Sequence, residues 1–344
     1  MGKMKFVLTI ITTLSLLISS LLANEVNVFS SRHYDTDIQL YEKFTNQTGI
    51  KVNIISGEDA ALQKRIIEEG TDSKADIYIT SDAGRLGLFD AKGMFQNSMS
   101  PLIIDKVPEN YRSENWTGIS KRARIIFYSK DRVKNNEIEN LNYEDLSNLK
   151  WKNRIAIRQS NSIYNQSLVA SLISNNGIEK TKIWTEGFVK NFSRTPKGND
   201  RAQILAVASG EADIAIANTY YYALMLSGQK GKDQQEAAKN VTPFYPNQGN
   251  RGTHMNISGA GILKNSKNKQ NAIIFLEFLL SKESQDHIVK NTFEYPIIKD
   301  FDSYELITNM NLEISFKEDL LTPVSDFAKY QPDALKIMLQ SGWK

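Results

Sequence analysis

VNVFSSRHYDTDIQLYEKFTNQTGIKVNII, residues 26–55, changes its hydrophobic period twice. Residues 26–30 read as a short apolar β run. Across 35–48 the spacing turns helical through Ile38, Leu40, Tyr41 and Phe44, and Gly49 stands where a left-handed cap closes a helix. A second β run comes at 50–55. The alternation continues outward, with a helix at 60–69 closed by Gly70, a strand at 75–80 and a helix at 83–91 before Gly93. Strands alternating with helices predict an α/β fold with a parallel sheet and right-handed crossovers.

The same grammar returns after a break. KRARIIFYS at 121–129 is extended, 141–151 is irregular, 154–158 reads as a strand, and 162–173 as a helix ended near Asn175-Asn176-Gly177. Next come a helix at 200–209 closed by Gly210, a strand at 212–217 and a helix at 220–226 closed by Gly228. Residues 228–251 read as a loop, 256–263 as a strand, and 269–280 and 284–290 as helical segments. At roughly 150 residues per domain, 344 residues predict two lobes.

Composition removes several classes. With no cysteine, disulfide scaffolds, iron–sulfur sites and cysteine nucleophiles are impossible, and only oxygen and imidazole donors remain for a metal. Lys and Arg number 42 against 39 Asp and Glu, which lacks the basic surplus that nucleic-acid binding requires. No G-x-S-x-G or H-E-x-x-H motif nominates a hydrolase. Lys3 and Lys5 precede an apolar run at 6–22, and Ala23 offers a small residue for cleavage, the pattern of a signal peptide over residues 1–23. That run is short for a membrane span and broken by Thr and Ser. The expectation is an exported, soluble protein.

Two α/β lobes on an exported chain point to a clamshell binding protein. SSRHYDTD (30–37), LKWKNRIAIR (149–158), GEADIAIANTYYYA (210–223), RGTHMNISGAGIL (251–263) and FLEFLLSKESQ (275–285) together resemble the periplasmic ferric-iron-binding proteins of ABC iron transporters, a bacterial transferrin-like family, and most of all its cyanobacterial branch. The resemblance implies a type II periplasmic-binding-protein clamshell with crossing hinge strands. One lobe would hold 24–122 plus 253–300, the other 123–252 plus 301–344. It further implies a monomer with no enzymatic activity that binds Fe(III) as its transported ligand and delivers it to an inner-membrane permease.

The residues suit that chemistry. Fe(III) is a hard cation that favours anionic oxygen. Phenolate is such a donor, although its free pKa of about 10 means that the metal must displace a proton. Tyr34, Tyr164 and the pair Tyr220-Tyr221 each come after a strand, at or near the start of the next helix, where parallel α/β sheets gather ligand-binding side chains. Asn218 or Thr219 is placed to cap the last of these helices. In a chain with 14 tyrosines, one near a strand end is ordinarily a half-buried side chain with its hydroxyl paired; the coincidence of three turns carries the metal reading. Adjacent helical residues point about 100° apart, so Tyr220, Tyr221 and Tyr222 cannot all face one ion, and the family motif selects the first two.

His33 matches the family's imidazole ligand, and Tyr34 beside it competes for the role; in the cyanobacterial branch the tyrosine ligates and the histidine stays close. His254 reads as a hinge hydrogen-bonding residue and His287 as a helix-surface one. Many relatives place a glutamate after the strand read at 75–80, where this chain has Ser81, and Tyr164 occupies the turn where others bind an anion. The resemblance therefore implies an all-tyrosine site with little need of a synergistic anion. Asp82 is a weak further candidate, a residue that more often caps a helix. Four phenolates around Fe(III) sum to minus one, which a closed cleft must offset. Arg122 and Arg124, on the crossing segment, are the family's place for basic support, with an ordinary solvated edge as the alternative. Arg32 is a further candidate. The competing cargo for the same clamshell is an oxyanion, a polyamine or a thiamine-like cation; an oxyanion receptor calls for Ser, Thr and Gly at helix starts, of which Ser160-Asn161-Ser162 offers a little.

Overall fold

The computed structural model describes residues 24–32 and 34–344. The leader expected at 1–23 and His33 lie outside the described residues. Strand β1 (Glu25–Ser30), helix α1 (Thr36–Thr48), β2 (Lys51–Ser56), α2 (Asp59–Glu69), β3 (Ile77–Thr80) and α3 (Ala83–Ala91) open the chain. Gly49 caps α1 at φ 71°, and its N–H donates to the Thr45 carbonyl at 2.8 Å. Asp82 caps α3, accepting a hydrogen bond from the Arg85 N–H at 2.9 Å. Helix α4 (Pro101–Lys106) leads into β4 (Trp116–Tyr128). Then come α5 (Asn135–Ile138), β5 (Ile155–Ala156), α6 (Ile163–Asn176), α7 (Ile178–Val189), α8 (Asp200–Ala208), β6 (Ile214–Asn218) and α9 (Thr219–Leu226). The chain ends through α10 (Lys232–Lys239), β7 (Thr242–Phe244), β8 (Met255–Ile262), α11 (Lys269–Leu279), α12 (Lys282–Thr292), β9 (Tyr295–Pro296), α13 (Glu305–Asn309) and α14 (Asp326–Gln340).

The strand order is β2-β1-β3-β8-β4-β6-β5, with β7 and β9 also paired to β4. β1 lies parallel to β2 and β3, and β5 parallel to β6; α1 joins β1 to β2, α2 joins β2 to β3, and α6, α7 and α8 lie between β5 and β6. β4 and β8 run antiparallel to their neighbours, so the sheet is mixed rather than parallel throughout. Strand β4 crosses the molecule. Residues 116–123 pair with β8 and β9, and residues 124–128 with β6 and β7, so one strand belongs to both lobes. This is the α/β, two-lobed type II clamshell with crossing hinge strands.

Three stretches differ from the sequence reading. Residues 228–251 are not all loop: α10 and β7 lie within them. Only Ala238 of α10 is buried, so the helix shows no apolar stripe. The strand expected at 154–158 shrinks to Ile155–Ala156 because the chain turns away after two ladder positions against β6. Asn218 takes the N-cap position of α9 without a side-chain cap bond, because its Oδ1 accepts from Arg124 Nη1 at 3.0 Å instead.

Helix α14 packs against both α6 and α3. The approach to α3 depends on glycine, since a Cβ on Gly87 would fall 2.5 Å from the Ala328 Cβ. Gly87→Val is therefore expected to destabilise the fold by about 1–3 kcal/mol, as overpacking of a fitted contact does. Denaturant unfolding checks this, and an unchanged midpoint would show that α14 shifts freely.

Candidate metal centre

Tyr34 comes after β1, Tyr164 lies in the first turn of α6, and Tyr220 and Tyr221 open α9 directly after β6. All four line one cleft of about 400 Å³, together with Ser81 and Glu294. The Tyr220 hydroxyl donates to the Tyr164 hydroxyl at 3.3 Å, and the rings of Tyr220 and Tyr221 sit 4.2 Å apart. Tyr222 turns away, as the helical spacing predicts. It is buried against Phe127 at 5.1 Å, and its hydroxyl donates to the Val241 carbonyl at 3.3 Å.

Tyr34 and Tyr164 are each held by a specific support. The Arg32 guanidinium lies 4.6 Å from the Tyr34 ring centroid, a cation–π contact. Arg32 is itself fixed by Asp37 at 2.9 Å, Glu294 at 2.6 Å and the Ser120 hydroxyl at 3.0 Å. Asn165 ties the loop before α6 to its first turn: its amide donates to the Arg158 carbonyl at 2.9 Å, and its oxygen accepts from Arg124 at 2.6 Å. Tyr164 thereby stands among Arg122, Arg124 and Arg158, whose guanidinium carbons lie 5.7, 6.0 and 5.4 Å from its ring centroid.

Arg122 and Arg124 are buried, each about 1% exposed, which excludes the solvated-edge alternative. Arg122 bonds the Ser258 hydroxyl at 3.1 Å and the Ser81 carbonyl, and approaches Glu294 at 3.8 Å. Arg124 pairs with Asp200 at 3.2 Å. Sequence reading did not find Glu294. This buried carboxylate links Arg32 on one side of the cleft floor to Arg122 on the other, and it accepts from the Ser120 hydroxyl at 2.5 Å. Burial opposes its ionisation, yet Arg32 and Arg122 hold it below the ordinary carboxylate range.

Burial first, then the negative charge of Glu294, pushes the Tyr34 hydroxyl well above its ordinary value. Tyr220 and Tyr221 are also raised, by burial and then by their neighbouring tyrosines. The same burial favours the neutral phenol form of all three. Among the described residues no cluster of three or more His, Asp or Glu side chains is placed to hold a metal. Asp82 takes its bonds from Ser167 at 2.6 Å and Asn256 at 2.8 Å, outside the cleft. The buried His254 ring stacks on Phe327 at 5.0 Å, and His287 meets the Thr36 carbonyl at 2.9 Å; neither lines the cleft.

Known proteins share this architecture. Iron uptake protein A1 of Synechocystis sp. is 45% identical over 93% of this chain and 88% of its own length. A solved Trichodesmium protein, described as IdiA or FutA in complex with iron and citrate ligands, superposes with a TM-score of 0.87 at 46% identity, over 93% of this chain and 100% of that one. Apo FutA2 from Synechocystis gives a TM-score of 0.86 at 40% identity, covering 94% of this chain and 100% of its own. The profile of the bacterial extracellular solute-binding proteins matches residues 72–321, from just after α2 through both hinge strands and the turns that carry Tyr164 and Tyr220-Tyr221, and the chain belongs to that family.

Proposed function

We propose that the cleft captures one Fe(III) through the phenolates of Tyr34, Tyr164, Tyr220 and Tyr221 and presents it to an ABC permease in the inner membrane. One observation carries this reading: three strand-to-helix turns, one from the first lobe and two from the second, bring four tyrosine side chains to a single cleft. The iron named for the Trichodesmium relative and the iron-uptake role named for the Synechocystis relative support it. Four anionic oxygens suit a hard trivalent ion without a synergistic anion, and His33, next to Tyr34, is the candidate for a fifth position. Arg122 and Arg124 offset the charge behind Tyr164.

The lobes divide at the crossing of β4, near 24–122 plus 253–300 and 123–252 plus 301–344, so Tyr34 and the other three ligands approach from opposite sides. Full coordination then exists only in the shut cleft. Iron shifts the opening equilibrium by its stronger affinity for the closed state, and a permease reads closure as loading. The protein acts as a periplasmic monomer after removal of a leader near Ala23.

Acid should release the metal. Each bound phenolate has displaced a proton, so affinity falls by about one order of magnitude per pH unit for each proton returned. Metal analysis of iron-loaded protein dialysed between about pH 7 and pH 5 checks this. Iron retained equally across that range would contradict phenolate ligation.

A further inference from the structure

Tyr164 reaches the cleft from a loop that the sheet does not hold. β5 stops at Ala156, and residues 157–162 run unpaired into α6. Ser162 takes the N-cap position of α6 but makes no side-chain cap bond, so the turn that carries Tyr164 lacks the ordinary anchor of a helix start. Two other side chains hold it. From inside, the Asn165 amide donates to the carbonyls of Arg158 at 2.9 Å and Gln159 at 3.1 Å. From outside the support is Trp343. After α14 ends at Gln340, Gly342 turns the chain back at φ 85°, a conformation that glycine adopts without strain. Trp343 then enters the core beside α7, wholly buried, with its ring edge-on to Phe188 and Phe192 at 5.3 and 5.4 Å between centroids. Its indole N–H donates to the same Arg158 carbonyl at 2.8 Å. The Arg158 side chain continues from that point to Asp200 at 3.5 Å and to the Tyr164 ring centroid at 5.4 Å.

We propose that Trp343 is a positioning residue for the metal cargo: through the Arg158 carbonyl its N–H fixes the turn that aims the Tyr164 phenol into the cleft. The inference rests on Tyr164 being a ligand, as read above. Trp343 touches no ligand oxygen, yet its ring is locked in a packed aromatic cluster, so the N–H gives the loop a fixed point that a solvent-exposed turn cannot supply for itself. A ligand held by such a support keeps its geometry to a fraction of an ångström, and one without it is loose. A tryptophan that only fills the core would affect iron through overall stability, independently of Tyr164. Coupling between the two residues separates these roles.

The test measures Fe(III) binding by competition with citrate, and the position of the charge-transfer band, in the wild type, Trp343→Phe, Tyr164→Phe and the double variant. Trp343→Phe keeps an aromatic ring and removes the N–H. It is expected to weaken Fe(III) binding by about tenfold, the lower end of what loss of a group orienting a ligand costs, and to shift the band, because the Tyr164 phenolate then meets the iron at a changed angle. In the Tyr164→Phe background the same substitution is expected to cost about twofold or less, since the residue it positions no longer ligates. Equal losses in both backgrounds, or an unchanged affinity in Trp343→Phe, would overturn the proposal and leave the tyrosine site standing. If Trp343→Phe does not fold, replacement of Trp343 by benzothienylalanine, which keeps the bicyclic shape with sulfur in place of the N–H, is expected to show the same loss; wild-type affinity in that protein would overturn the proposal. Tyr164→Phe binding iron as tightly as the wild type would overturn the ligand reading of Tyr164 and this inference with it.

Discussion

The double substitution Tyr220→Phe, Tyr221→Phe is expected to abolish ferric binding at micromolar protein while leaving the fold intact. Both rings remain, so the stacked pair at the start of α9 keeps its packing, and the hydroxyl bond lost is the 3.3 Å contact from Tyr220 to Tyr164. Loss of a partner that merely supports a metal ligand costs 10–100-fold in affinity. Removal of two ligand oxygens should therefore cost at least about two to four orders of magnitude, two such losses compounded. Competition with citrate measures the affinity, and thermal unfolding of the apo forms checks the fold. A double variant that holds iron within about tenfold of the wild type would remove α9 from the site.

The second large effect concerns stability. Glu294 sits between Arg32 and Arg122, and the three side chains expose only 2%, 2% and 1% of their surface. Glu294→Gln leaves two buried guanidinium groups sharing one fewer counter-charge. Breaking a buried pair from one side costs about 3–5 kcal/mol. Metal binding should respond in the opposite sense. Burial is the larger reason that the Tyr34 phenol resists ionisation, and Glu294 is the next. Without that negative charge Tyr34 ionises more easily, protons compete less well, and half-release of iron moves to lower pH. Denaturant unfolding of the apo protein and acid titration of the loaded protein measure the two responses. An unchanged unfolding midpoint, or release at higher pH, would refute the role assigned to Glu294.

How much of this was legible in the sequence depended on distance along the chain. The tyrosine pair was legible because a strand and a helix meet at Asn218-Thr219, and a local change of period places the next residues at the strand's carboxyl end. Tyr34 and Tyr164 were found by the same signal. Asp82 was legible as a cap because capping acts over three residues. Glu294 was not, since its pairing with Arg32 joins residues 262 apart, and no local pattern marks a carboxylate that will be buried between two arginines. The division of Asp200 between Arg124 and Arg158 is equally non-local. Strand direction escaped for a related reason: β8 returns after a long excursion through the second lobe, and its apolar run reads the same in either orientation. Helix α7 passed unread although Trp184 and Phe188 mark a buried face, because Ile178 and Ile183 stay exposed and blur the stripe.

Visible absorption during a titration with chelated ferric iron addresses the central claim most directly, because phenolate bound to Fe(III) gives a charge-transfer band that phenol and carboxylate sites lack. An orange-red species that saturates near one iron per chain is the expected result. A colourless protein, or a band that never saturates, would contradict a ferric tyrosinate centre in this cleft.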